Sequence, residues 1–288
     1  MSEPPRVSLV ILTCNRLEQV TRAVERALAL PDRPEILVVD NASRDGTAAV
    51  LPRRFPAITM VALPRNLGAA GRNAGVRRAA SPFVAFSDDD TWWAPGALDR
   101  AADLLERHPH LGLITGRVLV GPEDREDPTC AVMAASPLPA DPGLPGRPVL
   151  GFLAGASVVR RAAFLQVGGY EARFFLGGEE KLLAVDLTVA GWRLVYVPEI
   201  VSHHHPSSLR DGDRRRSLLV RNALWFAWLR RPWPHALRET LAVSRRAAGD
   251  PLVRRGLREA LAGAGWVWRH RRPLPAQVEA MLELIGHA

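Results

Sequence analysis

The chain has 288 residues, 47% of them hydrophobic and 24% charged, and carries a formal net charge of +8. That length buries a substantial core, and the balance excludes wholesale disorder. The two cysteines, Cys14 and Cys130, exclude a disulfide framework and a structural zinc site, and no apolar run approaches the ~20 residues that cross a bilayer.

Basic residues are arginine throughout except for Lys181, a skew that matches a GC-rich coding sequence and also suits bidentate phosphate binding. Met1 to Arg6 is polar and the apolar run behind it is too short for a secretory signal, so a cytoplasmic chain is expected.

Val7 to Leu12 is a short β-branched run that predicts a strand covered on both faces. Leu17, Val20, Val24, Ala27 and Leu28 follow at helical spacing, and Pro31 and Pro34 end that helix. Ile36 to Val39 predicts a second buried strand ending at Asp40-Asn41, with Ser43 placed to cap a short helix, and Ile58 to Ala62 predicts a third. Gly68 to Ala80 reads as helical despite its glycines, and Phe83 to Phe86 as a fourth strand running into Ser87-Asp88-Asp89-Asp90. Repeated strand–helix units predict a mostly parallel sheet, whose ligands gather at the carboxyl ends of the strands. Here those ends carry Thr13 and Asn15, Asp40 and Asn41, and Asp88 to Asp90. Leu111 to Val120 predicts another strand, and Gly121 to Pro148 a long loop of the kind that forms a lid or an acceptor site. A helix follows Gly178-Glu179-Glu180 as far as Ala190, then a strand over Arg193 to Val197, then His203-His204-His205.

Three consecutive carboxylates repel one another, so Asp88 to Asp90 need either full solvation or a cation. In an extended turn Asp88 and Asp90 point the same way, and oxygen ligands suit Mg²⁺ or Mn²⁺, which complete their shells with substrate phosphates. The plainer alternative is a solvated turn capping the helix near Pro95. Asp40 can accept from a nucleobase N–H or a ribose hydroxyl, or serve as turn chemistry. Arg65 to Gly75 mixes small residues with Asn66, Arg72 and Asn73, allowing close ligand approach and a diphosphate contact from Arg72. Glu179 and Glu180 can favour the helix dipole or act as a general base beside the apolar Phe174-Phe175-Leu176. In an extended segment His203 and His205 face one way and His204 the other, and neutral imidazole ligates Mn²⁺.

Taken in order over roughly residues 7 to 205, these motifs resemble glycosyltransferase family 2, an inverting family with the GT-A fold. Thr13-Cys14-Asn15-Arg16 resembles its first nucleotide-binding loop, and Val38 to Ser43 its second, with Asp40 at the base and Asn41 beside it. Asn66-Leu67-Gly68 through Arg72-Asn73 resembles the segment alongside the nucleotide. Ser87 to Asp90 matches the DXD position that holds ribose and metal through Asp88, Asp89 and Asp90. Gly178-Glu179-Glu180 with Gly191-Trp192 resembles the Glu-Asp acceptor motif and puts Glu180 at the base position. Glutamate replaces the commoner aspartate there, and Leu182 stands where many members carry a second acid, so the base acts with a longer reach. The histidine run matches the family's late metal ligand, His204 first and His203 next.

The resemblance implies an α/β GT-A fold with a mostly parallel central sheet flanked by helices. A catalytic domain would span 1–205, divided into a nucleotide half 1–110 and an acceptor half 111–205, with a helical region over 206–288. It also implies Mn²⁺ or Mg²⁺, a nucleoside diphosphate sugar donor with UDP or dTDP favoured, and inversion at the anomeric carbon. The acceptor would be a hydroxyl of a glycan, a lipid-linked glycan or a small-molecule natural product.

Arg214-Arg215-Arg216 followed by Leu218, Leu219, Ala223, Trp225, Phe226, Trp228, Leu229 and Arg230-Arg231 fits a helix packed on the catalytic domain with an arginine edge. It also fits a helix on an anionic membrane, at the inner face of the plasma membrane, and Trp266, Trp268 and Arg269 to Arg272 repeat the theme. Two other functions compete. A sugar nucleotidyltransferase expects a Gly-rich, Lys/Arg-bearing loop after the first strand, which Thr13 to Arg16 lacks. A basic nucleic-acid-binding protein would meet acidic strand ends that repel phosphates, so no nucleic-acid partner is expected.

Overall fold

The computed structural model describes residues 5–206 and 212–286, so the first four residues of the polar N-terminus and the start of the C-terminal helical region lie outside it. The strands β1 (Val7–Thr13), β2 (Glu35–Asp40), β3 (Thr59–Ala62) and β4 (Phe83–Asp88) pair in parallel in the order β3-β2-β1-β4. β1, β2 and β4 are buried on both faces, which is why they read as continuous apolar runs rather than as alternating ones. Helix α1 (Leu17–Leu28) buries Val20, Ala23, Val24 and Ala27, one helical stripe, and turns its charged residues outward. Helices α2 (Thr47–Arg54) and α3 (Arg72–Arg78) complete this half, α3 being entered through a 3-10 turn at Gly68–Gly71.

Ser43 does not cap α2. Its hydroxyl accepts from the Asn15 N–H, while Asp45 accepts from the Thr47 N–H and Gly46 takes φ +86° at the helix start.

The same sheet continues through β9 (Ser157–Arg160), β6 (Leu111–Val120), β10 (Arg193–His204) and β5 (Thr91–Trp93). β9 runs antiparallel to both β4 and β6, whereas β10 is parallel to β6 and antiparallel to β5. Parallel pairing therefore belongs to the first four strands and to the β6–β10 pair. β10 passes a register shift between Val197 and Val201 and runs on to His204, so the histidine run is a strand end rather than a loop. Because His204 pairs with Thr91, the end of β10 lies beside the turn that follows β4.

Gly121 to Pro148 is more structured than a loop. It carries β7 (Arg125–Glu126), α5 (Pro128–Ala134) and β8 (Arg147–Pro148). Asp127 caps α5 by accepting from the Thr129 N–H, Pro128 occupies the first turn, and Cys130 is fully buried against β6. The helix after the acidic run is α4 (Ala97–Arg107), and Asp32 caps it, accepting from the N–H groups of Gly96, Leu98 and Asp99. Asp88 to Asp90 are therefore not committed to that helix.

After α6 (Arg161–Gln166) and α7 (Glu179–Val189), the chain ends in α8 (Gly212–Arg230), α9 (Trp233–Ala247), α10 (Pro251–Ala262), α11 (Ala264–His270) and α12 (Ala276–Gly286). A second apolar core joins Leu224, Trp225, Phe226 and Leu229 of α8 to Phe174, Leu182 and Val185 around α7. Each such side chain removed from water contributes about 1.5–3 kcal/mol. In α8, packing rather than a membrane takes up the aromatic residues.

Candidate active site

A cleft of about 750 Å³ opens where β1, β4 and β10 end, walled by the 3-10 turn at Gly68, the start of α7 and the start of α8. The turn after β4 sends its three carboxylates different ways, with Arg16 shared between Asp89 and, at 3.4 Å, Asp90. Asp88 accepts from the guanidinium of Arg72, which is itself only 4% exposed. Asp89 turns inward, accepting from Thr13 Oγ1 at 2.9 Å and Arg16 at 2.9 Å, and burial pushes its carboxyl up to about 6. Asp90 faces His204, with Oδ1 3.6 Å from Nε2. His203, on the other face of the strand, pairs with Asp124 at 2.9 Å and stacks on Trp92, which places it outside the cleft. His205 packs edge-on against the same tryptophan.

Across the cleft, the chain before α7 places Phe175 at φ +62°, Gly177 at +89° and Gly178 at +86°, a left-handed course that the two glycines make easy. This aims Glu179 and Glu180 at the cleft from the first turn of α7. Glu179 is 2% exposed, and its Oε2 has no hydrogen-bond partner among the described residues. Burial, reinforced by the neighbouring Glu180, pushes the Glu179 carboxyl up to about 8. Burial raises the half-buried Glu180 as well, against the pull of the Arg72 cation.

The first loops are spent on holding the cleft together. Asn41 donates to the Gly68 carbonyl and accepts from the Leu67 N–H, Asn66 donates to Cys14 Sγ at 3.3 Å, and all of these residues but Leu67 line the cleft. Asn15 accepts from the Arg44 N–H, Asp40 from the Ser43 N–H, and Asn73 is clasped to the backbone of Tyr170 in both directions. Asn15, Asp40 and Asn73 thus shape the site from behind its wall, while Thr13, Cys14, Arg16, Asn41, Asn66, Arg72 and Asp88 to Asp90 reach its surface.

Gly68 takes φ +60°, and a Cβ there would meet the Phe175 carbonyl oxygen at 1.9 Å. Gly68→Ala therefore forces the 3-10 turn off the loop before α7. We expect urea unfolding to show a loss of about 2 kcal/mol or more, since the left-handed conformation alone costs an alanine about 1–2 kcal/mol. An unchanged midpoint would show that the two loops part freely.

Several wall residues lay beyond the sequence reading. Asp127 and Thr129 enter from α5, Gly155 from the turn before β9, and Arg214 and Arg215 from α8. Asn222 of α8, 1% exposed, donates to the carbonyls of Phe174, Leu176 and Gly177, and Arg221 donates to those of Arg173 and Phe174. The C-terminal helices thus fix the segment that presents Glu179 and Glu180. Only the Arg221-Asn222 pair, set among the apolar residues from Leu218 to Leu229, marks them in the sequence.

Among the described residues, no three histidine, cysteine or carboxylate groups gather into a metal-binding cluster. The donor set still fits a hard cation. Asp90 and His204 face each other at the cleft surface beside Asp88, and Mg²⁺-type ions are commonly held by one or two carboxylates plus substrate phosphates.

The profile described as "Glycosyl transferase family 2" matches residues 8–168. The chain belongs to glycosyltransferase family 2. Membership makes it a glycosyltransferase and sets aside the nucleotidyltransferase reading. A relative from Mycobacterium tuberculosis named N-acetylglucosaminyl-diphospho-decaprenol L-rhamnosyltransferase is 28% identical over 274 residues, covering 80% of this chain and 88% of that protein. A pre-mycofactocin glycosyltransferase from the same species is 32% identical over 159 residues, 52% of this chain and 32% of that one. Among solved structures, the mannosyltransferase PcManGT of Pyrobaculum calidifontis, in complex with GDP-Man and Mn²⁺, superposes with TM-score 0.59 at 18% identity, covering 99% of this chain and 87% of its own. GalNAc-T7 with UDP, GalNAc and Mn²⁺ superposes with TM-score 0.66 at 15% identity, covering 100% of this chain and 57% of its own. These glycosyltransferase neighbours give the fold as GT-A.

Proposed function

We propose that the chain transfers a hexosyl or 6-deoxyhexosyl group from a UDP- or dTDP-sugar to a hydroxyl of a lipid-linked glycan, with inversion. The observation that carries this reading is the meeting in one cleft of two opposed sets. Asp88, Asp90, His204 and Arg72 stand on the strand-end side, and two buried-side carboxyls with raised pKa stand on the other. The acceptor class follows the name of the rhamnosyltransferase relative, which spans most of this chain.

In the reaction, Glu180 takes the proton of the acceptor hydroxyl as its oxygen attacks the anomeric carbon, and the bond to the diphosphate breaks on the opposite face. Glu179 stays in the wall and keeps water from the base. Arg72, paired with Asp88, brings a fixed cation towards the departing phosphate. Asp90 and His204, with Asp88 in reach, are the residues that would hold Mn²⁺ or Mg²⁺, and such a cation would offset charge developing on the diphosphate. Thr13 and Arg16 tie Asp89 to the first loop and so set the height of its neighbours.

A thermal-shift series of the purified protein with UDP, dTDP, GDP and CDP, each with and without Mn²⁺, tests the donor site. We expect one nucleotide to raise the melting temperature in a metal-dependent way, as mass action requires of a ligand that binds only the folded state. Asp90→Ala should remove that shift, and His203→Ala should not. If no diphosphate stabilises a well-folded protein, the donor reading fails. A product with retained anomeric configuration sinks the single displacement.

A further inference from the structure

α9 carries an exposed apolar stripe that its own core does not need. Trp233, Leu237 and Leu241, at i, i+4 and i+8, are 46%, 64% and 52% exposed, while Ala236, Val243 and Ala247 are buried about a quarter turn round the helix. Trp268 of α11, 71% exposed, extends the stripe, with its ring centroid 6.0 Å from that of Trp233. The guanidinium of Arg271 lies over Trp233 at 4.0 Å. Arg238 and Arg245 flank the stripe on one side at about a quarter turn from Leu237, while Glu239 falls on the opposite face of the helix. Arg269 and Arg272 are exposed beside Trp268.

We propose that this face docks on an anionic lipid bilayer, with α9 lying in the plane of the interface. Tryptophan and leucine rimmed by arginine match the acyl boundary and the phosphate layer of a membrane surface. No helix of the described residues is long and apolar enough to cross a membrane, so the contact is peripheral. A second copy of the chain suits the face less well, because two identical arginine-rimmed surfaces would bring like charges together.

α9 starts where α8 ends, and Asp250 just beyond α9 pairs with Arg216 at the start of α8 at 2.5 Å, so the two helices run antiparallel. The stripe therefore leads back towards Arg214 and Arg215, which line the cleft. A headgroup-linked acceptor on the same bilayer would meet the cleft at that end, a consequence that rests on the lipid-linked acceptor proposed above.

Vesicle flotation of the full chain with phosphatidylcholine or phosphatidylcholine/phosphatidylglycerol mixtures tests the surface itself. We expect binding to the anionic vesicles alone, weakened by salt. Charge reversal in Arg238→Glu/Arg245→Glu should weaken it about fivefold or more per arginine, and Leu237→Glu/Leu241→Glu should abolish it. Because these side chains are exposed, the variants should keep the wild-type melting temperature and nucleotide response, so loss of docking is read apart from failure of the donor site. Equal binding by wild type and variants, no binding to anionic vesicles, or a dimer in solution that Leu237→Glu/Leu241→Glu dissociates would overturn the proposal.

Discussion

Glu180→Gln is expected to lower transfer by about 10²–10⁴-fold while leaving nucleotide binding intact. The substitution keeps the length and hydrogen-bonding reach of the side chain and removes only its capacity to take a proton. Glu180 is half-buried at the cleft surface, and burial raises its carboxyl, which makes it a stronger base than a solvated glutamate once ionised. The rate should therefore climb as pH rises through that raised value and level off above it. Glu179→Gln is the control, since Glu179 is almost completely enclosed and points an unpartnered Oε2 into the wall. It should retain most activity and keep the same pH profile. The check is a comparison of kcat/KM against pH for both variants, alongside the nucleotide thermal shift. If Glu179→Gln abolishes turnover and Glu180→Gln is mild, the two roles are exchanged.

Much of the half built on β1 to β4 was legible because its signals are local. β1, β2 and β4 are apolar runs with polar ends, and the polar ends of neighbouring parallel strands must come together. The Gly178-Glu179-Glu180 start of α7 was also visible, since glycines before acidic first-turn residues have few other uses. What the sequence hid are partnerships across long separations. Asp32 caps α4 from 64 to 67 positions earlier in the chain, and Asn222 holds carbonyls 45 to 48 positions earlier. No periodicity marks either. β5 is three residues long, too short for a pattern, yet its pairing with β10 is what carries His204 to Asp90 and leaves His203 behind. The i, i+2 rule separated His203 from His204 correctly, but only the partner strand decides which of the two faces inward. In α8 the apolar and arginine residues left packing and membrane contact both open, and contact with Phe174 and Leu182 answers that for Trp225 and Phe226. The exposed stripe lies one helix later, on α9, where the proline at position 234 and the short apolar spacing gave little sign of it.

Arg72→Met should be the most damaging single change to stability at the site, and its cost should grow with pH. Arg72 is a buried cation hydrogen-bonded to Asp88, with Glu179 and Glu180 within electrostatic reach. Removing Arg72 leaves Asp88, whose side chain is 42% exposed, and the raised Glu180 without their cation, so the cost approaches but stays below the about 3–5 kcal/mol of a fully buried pair. The pH dependence follows from the glutamates. Glu179 titrates at about 8 in the fold and near 4.5 when unfolded, so between those values the native state holds more protons and stability falls as pH rises. Without Arg72 the raised carboxyls rise further, so the mutant goes on losing stability above about pH 8, where the wild type levels off, and the deficit widens there. Urea unfolding at about pH 7 and about pH 9.5, on either side of the folded value, measures it. Adding Glu179→Gln to Arg72→Met should then recover more stability at the upper pH than at the lower, because the glutamine cannot ionise. Arg72→Lys should fall between, restoring the charge without the planar fork that meets Asp88. A deficit equal at both pH values would assign Arg72 to packing alone, and with it would go the argument that this arginine is what lets two glutamates share the start of one helix.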